Sequence, residues 1–598
     1  MFIKEVTKKN KGYDKTFVYH QLVESYRTEK GPRQRKLLNL GKLTIPKDQW
    51  KTLANRIEEI ISGQTSLIEV DEQIEQLAQR YASLLIQNKL KQEKVEKKES
   101  PQETETIFTG SVKFRDARSI GGEYISLMML RKLKFNELLK KLGFKEKDIK
   151  LAELLIVGRL VHPSSEWATL RWVKKQSAID ELLELDLSRL SHNKLYRITD
   201  QLLEHKDKIE NGLVEQERLL FSLQEKIILY DLTNTYFESS RTSELKARGR
   251  SKDKRHDMPL VTLGLVLDED GFPKESRLFS GNVSEPETLS KILDTIGGKV
   301  RKLIILDAGI ATEENLQLIT KRGHDYLVVS RSKPEIEIEE NAFKEINHDQ
   351  RHKVEAYLYR KDKELYLYCR SASRQKKEEA IRQFHQQRFE AGLKYAAESL
   401  HKKRGTKKYP KVLERIGRIK ERHAKVAYFY DITVKHHNGI VTEISWKIKD
   451  EQKMDDRFSG TYYLRTSRLD LTDREIWQLY ISLTDVEDGF RSLKSELGLR
   501  PNFHQKDKRI EGHIFISILA FHVLISLQKQ LHDAGVYHRW TTIRELLSVQ
   551  QRVSVEMKTQ KGDLLVIRDT TEPEAIHYLM AQAFKIKPKP LGMKKIRI

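Results

Sequence analysis

KIILYDLTNTYFE, Lys226 to Glu238, sets the problem of this chain. It opens as a short apolar run suited to the middle of a sheet and then places a carboxylate, Asp231, where the buried part should end. RKLIILDAG, Arg301 to Gly309, does the same with Asp307. Between them, PLVTLGLVLD and PKESRLFS flank Asp270-Gly271, a hairpin signal, and SEPETLSKILDTI has helical period. After Asp307, TEENLQLITKRG reads as a helix and HDYLVVS as a strand. Three meandering strands followed by helix–strand units predict an α/β sheet of mixed direction.

Two carboxylates on neighbouring strand ends repel, and a divalent cation removes that cost. Mg²⁺ favours a few carboxylates together with water and phosphate oxygens, and two such ions clamp an in-line phosphoryl displacement. Taken singly, either aspartate reads as a strand or helix cap; the pair in a basic protein points to the metal. A third acid is then needed. On the helical stretch DREIWQLYISLTDVEDGFRSLKSEL (473–497), Tyr480, Glu487 and Lys494 are spaced by sevens and share a face. Glu487 is the candidate metal ligand, with Tyr480 and Lys494 as phosphate contacts. Glu285 and Glu287, in GNVSEPET, are weaker alternatives for the third acid.

The remaining sequence supports a polyanion partner. The 598 residues carry a formal charge of +23, which favours nucleic acid through phosphate neutralisation. With 38% hydrophobic and 33% charged residues the chain is a charged globular protein of several domains, not a disordered one. Cys369 is the single cysteine, which excludes disulfides and Cys-based zinc sites and suits a reducing cytoplasm. The N-terminus lacks the apolar region of a signal peptide. The apolar run IFISILAFHVLISL (514–527) is short for a bilayer and predicts a buried helix, so no membrane partner is expected.

Seven regions are expected. Residues 1–45 alternate as a small basic three-stranded sheet, with turns at Lys11-Gly12 and Lys30-Gly31-Pro32. Residues 46–106 are helical and end in a charged linker, QEKVEKKESPQETET. Residues 107–224 are helical; Ser164 and Ser165 are cap candidates, Ser191 opens another helix, and Arg171, Lys174, Lys175, Lys194 and Arg197 are candidate DNA contacts, with a solvated helical spacer as the bland reading. Residues 225–332 hold the two aspartates. A β-rich insertion with a basic helical stretch follows at 333–460; it contains KKRGTKKYPK (402–411) and Trp446, a candidate to stack on an unpaired base if it is not simply packed in a β-core. Residues 461–532 carry Glu487, and Arg500 and His504 are further DNA-contact candidates. His504 and His513 read better as phosphate contacts or core histidines than as zinc ligands. Residues 533–598 are uninformative.

These segments resemble the DDE transposases of bacterial insertion sequences, in the superfamily with the signature Tyr-x2-Arg-x3-Glu-x6-Lys. YDLTNTYFE resembles the first-Asp strand and LIILDAGIATEENL the second-Asp motif. GRSKDKRHDMPLVTLGLV and GFPKESRLFSGNVSEPETL resemble the two segments between them, and residues 462–516 resemble the third-acid region. The resemblance implies an RNase H-like core interrupted by an insertion before the third acid. It makes Asp231, Asp307 and Glu487 the catalytic, metal-binding triad for two Mg²⁺ ions, with Mn²⁺ as a substitute. Tyr480 and Lys494 become end-DNA contacts. It implies binding of the element's terminal repeats and target DNA by a homodimer or higher assembly, cleavage by metal-activated water, and joining of the freed 3′-hydroxyl to target. Leu483 stands where the signature has Arg. Leucine cannot hold a phosphate, so a hairpin intermediate does not carry over; Arg491, one turn beyond Glu487, is the candidate replacement. The competing readings are a catalytically silent DNA-binding derivative and a structure-selective nuclease without strand transfer.

Overall fold

The computed structural model describes the chain except residues 10–15, 29–30, 44, 63–70, 72, 83, 86–104, 253–254, 256, 295–299, 331–341, 348–352, 458 and 501. The expected turn at Lys11-Gly12 and the expected linker up to residue 104 lie outside the described residues. The chain forms two compact units, both discontinuous. One comprises Met1–Gln224, Leu232–Val283 and Glu487–Ile598; the other comprises Glu225–Asp231 and Ser284–Val486.

The first unit begins with β1 (Phe2–Lys9), β2 (Thr16–Thr28) and β3 (Gly31–Gly41), an antiparallel meander. Helix Trp50–Ser62 and helical residues 73–82 complete its core: Leu22, Leu40, Leu53, Ile57, Ala78 and Tyr81 are buried together. β4 (Lys113–Ser119) precedes seven helices between Gly121 and Phe221. Ser165 and Ser191 do cap theirs, accepting from Ala168 N and Lys194 N.

These helices pack on Asp507–Asp533, a 27-residue helix buried nearly all round, as a helix apolar on every face must be. It is long and apolar enough to cross a membrane, yet 89% of its apolar window is buried inside the protein. Gly512 is required for space: a methyl there would meet Thr199 Cγ2 at 2.5 Å. His522, inside the core, has Nδ1 2.9 Å from Glu217 Oε1, so the buried polar ring is not orphaned.

The main sheet is entered through β5 (Ile227–Tyr236), which passes from the second unit to the first at Asp231. In the first unit it continues into β6 (Leu260–Asp268) and β7 (Pro273–Ser280). That antiparallel hairpin turns at Gly271, whose φ of 81° lies in the left-handed region glycine favours. In the second unit the sheet holds β8 (Leu303–Leu306), β9 (Asp325–Ser330), β10 (Lys344–Asn347), β11 (Val354–Lys361), β12 (Glu364–Ser371) and β15 (Thr461–Thr466). The order there is β10-β11-β12-β15-β9-β8-β5, with β5, β8 and β9 parallel and the rest antiparallel.

The expectation of a β-rich insertion at 333–460 is corrected. Strands β10 to β12 belong to the main sheet. The segment between β12 and β15 is mostly helical: Ala372–Ser399 and Tyr409–Arg422 pack beside a single hairpin, β13 (Tyr430–His437) with β14 (Ile440–Ile448). The strands at 354–371 have strand period but no signal for their neighbour, and that neighbour, β15, lies ninety residues on.

The last residues form β16 (Gln551–Lys558), β17 (Leu564–Thr570) and β18 (Lys594–Arg597), a sheet completed by β4 in the order β18-β17-β16-β4. Buried Arg552 ties it down through Glu181, 3.0 Å away, and the carbonyl of Gly592 at 2.8 Å.

Candidate active site

Two elements of the second unit bring the aspartates together. β5 and β8 are parallel, with Ile227 opposite Leu303 and Tyr230 opposite Leu306. Ile228, Leu229 and Tyr230, like Leu303 to Leu306, are buried; Asp307 follows the end of β8, but Asp231, expected where the buried part ends, lies in the middle of β5, with Leu232 to Thr235 buried beyond it. Asp307 is exposed and Asp231 half-buried. The two aspartates therefore follow at neighbouring positions because hydrophobic burial aligns the runs that precede them. Asp307 is held by its own turn: Oδ1 accepts the Ala308 N–H at 2.7 Å, and its carbonyl accepts from Ile310 at 3.1 Å.

The structure adds Glu285 to this pair. Its short 3₁₀ turn, Glu285–Glu287, is tied to β5 and to the turn after β8. Tyr230 Oη donates to Thr288 Oγ1 at 2.8 Å, and Thr288 Oγ1 donates to the Glu285 carbonyl at 2.6 Å. On the other side, Asn315 Nδ2 donates to the carbonyls of Pro286 at 3.0 Å and Ile310 at 2.8 Å. A methyl on Gly309 would collide with a Glu285 carboxylate oxygen and lie 3.7 Å from Asp307 Oδ2. Asp231, Asp307 and Glu285 of this unit offer only oxygen donors, the donor type that a hard divalent cation prefers.

Helix Asp473–Ser495 carries the third-acid candidate. In the second unit its first half packs Tyr480 on Tyr462, ring centroids 5.3 Å apart, and Trp477 Nε1 donates to Tyr462 Oη at 3.0 Å. In the first unit its last turns bury Phe490 and Leu493, and Gly489 faces Phe521, which a methyl would approach to 3.2 Å. Glu487 and Asp488 are exposed, and Asp488 pairs with Arg491. Beyond the helix, Thr235 Oγ1 donates to the Leu499 carbonyl at 3.0 Å and Asn502 N to the Tyr236 carbonyl at 3.2 Å, so the tail of β5 is stitched to the segment after the helix. Thr235 is buried at this junction, and Thr233 is buried two residues before it.

The basic candidates divide. Lys194 Nζ is 2.6 Å from Asp148, and the exposed Lys174 donates Nζ to the Leu190 carbonyl at 3.0 Å, so both have partners within the helical region. Lys175 and Arg197 are exposed, and Arg171 stacks 4.9 Å from the exposed Trp167 ring. Lys494 and Arg500 are half-buried. Trp446 is half-buried against the insertion core.

His504 lies in a buried polar cluster: its Nε2 is 3.0 Å from Glu166, His513 Nδ1 is 3.2 Å from the same carboxylate, and Arg159 Nη2 donates to His513 at 3.0 Å. The donor atoms of Glu166, His504 and His513 lie within 4.8 Å of one another, as metal ligands do, but the Arg159 guanidinium already supplies positive charge to Glu166. Burial, reinforced by Arg159, pushes His513 down to about 4. Burial alone raises Glu166, yet its two histidine partners hold its carboxyl well below the usual range. Histidines 504 and 513 are nine residues apart and Glu166 is over three hundred away, so no local spacing announces the cluster.

A family model for the IS1634 family transposase N-terminal domain matches residues 3–80, and one for the Transposase DDE domain matches residues 223–522. No curated protein matches the chain. Among solved structures, the chain is similar to piggyBac transposase in a cryo-EM synaptic complex with hairpin DNA, at 10% identity over 68% of this chain and 70% of that one, with a TM-score of 0.31. The DDE-domain model spans half of the chain and takes in both aspartates and Glu487, and on that match the chain belongs to the DDE transposase family: it is a DNA transposase of an insertion sequence.

Proposed function

We propose that this transposase is Mg²⁺-dependent, with Asp231, Asp307 and Glu487 as its catalytic, metal-binding acids on an RNase H-like core. The observation that carries the reading is the register of β5 on β8, which puts Asp231 and Asp307 at neighbouring positions. Two Mg²⁺ ions, or Mn²⁺ in their place, would neutralise charge on the attacking and leaving oxygens of the phosphodiester.

The chain's own groups hold and orient. The carboxylates are presented on rigid strands whose buried runs prevent them from drifting. Tyr480 and Lys494 share the Glu487 face of their helix and contact the phosphates of the element's end, with Arg491 in support. Arg171, Lys175 and Arg197, on exposed helical faces, contact flanking DNA. In the first step water adds across the phosphodiester, leaving a 3′-hydroxyl and a 5′-phosphate. In the second, that 3′-hydroxyl attacks a target phosphorus and the target's own 3′-oxygen leaves, so no covalent protein–DNA bond is needed. The active form is a homodimer or higher assembly on paired ends, working in the bacterial cytoplasm on the nucleoid.

The test uses a labelled end-bearing duplex, target plasmid and Mg²⁺. The wild type should nick the end and join it to the plasmid. Asp231→Asn should do neither while still shifting the end duplex in a gel; nicking by that variant would sink the site assignment. End cleavage without joining would favour a nuclease, and binding without cleavage in Mg²⁺ or Mn²⁺ a silent DNA-binding derivative.

A further inference from the structure

We propose that Arg248 and Arg250 hold backbone phosphates of the DNA beside the phosphodiester that is cut, from a loop of the first unit that is tied to the residue after Asp231; this rests on Asp231 belonging to the catalytic site. The two arginines lie in the connection between β5 and β6, and both are exposed. Among the described residues neither has an acidic partner, whereas Arg491 pairs with Asp488. An arginine on a free loop binds phosphate without placing it, because the loop must first be ordered. This loop is already ordered. The Leu245 N–H donates to Asp507 Oδ2 at 3.3 Å, and the Leu245 carbonyl accepts from Gly281 at 3.2 Å. Ala247 and Leu260 exchange two backbone hydrogen bonds, of 3.2 and 2.8 Å. Lys252 donates its backbone N–H to Asn234 Oδ1 at 3.0 Å and its ammonium to the Leu232 carbonyl at 2.6 Å. Leu232 is bonded to Asp231, so the loop is fastened to the chain next to that acid.

Gly249, between the two arginines, closes one side of the loop. A β-carbon there would lie 1.9 Å from the Gly281 carbonyl oxygen and 2.8 Å from its carbon, backbone atoms that no side-chain rotation can move. Residue 249 therefore faces the protein, and the side chains before and after it are the ones that reach solvent. From below, Lys246 pins the loop: it is 1% exposed, donates its ammonium to Gln505 Oε1 at 3.1 Å and lies 5.1 Å from the centre of the Phe237 ring. Two guanidinium groups are thus presented on a rigid support. Each has a planar fork of donors that engages two oxygens of one phosphate, and phosphate contacts of this kind set the register of DNA on a protein.

The experiment uses the full-length protein and measures single-turnover cleavage of the end duplex in Mg²⁺, the salt dependence of its binding, and thermal melting. Arg248→Gln and Arg250→Gln should each slow cleavage by about 10–100-fold, the effect of a misplaced substrate, and lower the salt slope of binding by about 1. The lysine counterparts should restore the slope but only part of the rate. Lys208→Ala, at an exposed position of helix Lys206–Phe221, should match the wild type. A second arm replaces single phosphates around the cut by uncharged methylphosphonates. At the phosphate an arginine holds, this change should slow the wild type and leave the matching glutamine variant no slower than before. Gly249→Ala, which forces the loop off Gly281, should slow cleavage with both arginines present. Wild-type cleavage in folded Arg248→Gln and Arg250→Gln proteins would overturn the proposal, as would an equal loss in Lys208→Ala or methylphosphonate effects identical in variant and wild type. If Asp231→Asn is inactive while both glutamine variants cleave normally, only this inference fails. If Asp231→Asn cleaves, the site reading falls and this inference with it.

Discussion

Tyr230 lies directly opposite Leu306 on parallel strands, so Asp231, in the middle of β5, and Asp307, just past the end of β8, follow at neighbouring positions. Exposed or half-exposed carboxylates add little to stability, and their value lies in the chemistry. Asp307→Asn should lower end cleavage by about 10²–10³-fold or more, the loss typical of removing one preorganised electrostatic group, with melting unchanged to within a few degrees. Gel assays of cleavage and a thermal melt check both halves.

Glu487 and Asp488 are adjacent and both exposed, but only Glu487 lies on the stripe with Tyr480 and Lys494. Glu487→Gln should abolish cleavage. Asp488→Asn removes only a surface ion pair with Arg491, worth about 0–1 kcal/mol, and should keep cleavage within a few-fold of wild type. Equal loss in both variants would show that the helix face is misassigned.

The Glu166–His504–His513–Arg159 cluster makes the first unit acid-sensitive. His513 is depressed from 6.5 to about 4, so the unfolded chain binds a proton there that the folded one refuses. Stability from this group is complete above about pH 6.5 and drains away as pH falls towards 4. The depressed Glu166 carboxyl adds a loss that begins as pH drops below its ordinary value of 4.5. Urea midpoints measured from pH 7.5 to 4.5 should fall steadily, and His513→Gln should flatten the fall between pH 6.5 and 5.

Leu519 sits with no exposure in the long helix Asp507–Asp533. Leu519→Ala should destabilise the protein by about 2–5 kcal/mol, the cost of a cavity in a core that cannot fully collapse. Denaturant unfolding followed by tryptophan fluorescence measures this. A lipid-facing leucine would tolerate the change far better, so the experiment also tests the core assignment of this apolar helix.

The run KKRGTKKYPK joins the two long insertion helices, and Lys402, Lys403, Arg404, Lys407 and Lys408 are all exposed. Each phosphate contact contributes a slope of about 0.9 to the fall of log affinity with log salt. Replacing these five by alanine should reduce the salt slope of DNA binding by roughly 2–4, with little effect on melting. An unchanged slope would remove the insertion loop from the DNA-binding surface.

Much of this was legible along the chain. The buried run before each aspartate, the Asp270-Gly271 hairpin and the serine caps follow from local period and turn chemistry, which act over a few residues; that β5 continues past Asp231 to Tyr236 does not. The insertion was misread because Val354–Lys361 and Glu364–Ser371 announce strands without announcing their partner. Arg552 and the terminal strands looked featureless because their partners, Glu181 and β4, are hundreds of residues distant.

By itself, then, the sequence determined the elements and the candidate acids: short buried runs leading to Asp231 and Asp307, a helix carrying Glu487, and a charge of +23 to meet phosphate. Tertiary structure alone decided which strand lies beside which, that Lys174 and Lys194 meet Leu190 and Asp148, and that the Glu285 carboxylate lies against Gly309. The reason is physical. Hydrophobic period and capping are local properties of a chain, whereas strand neighbours, buried ion pairs and the space around a glycine arise only when distant segments pack.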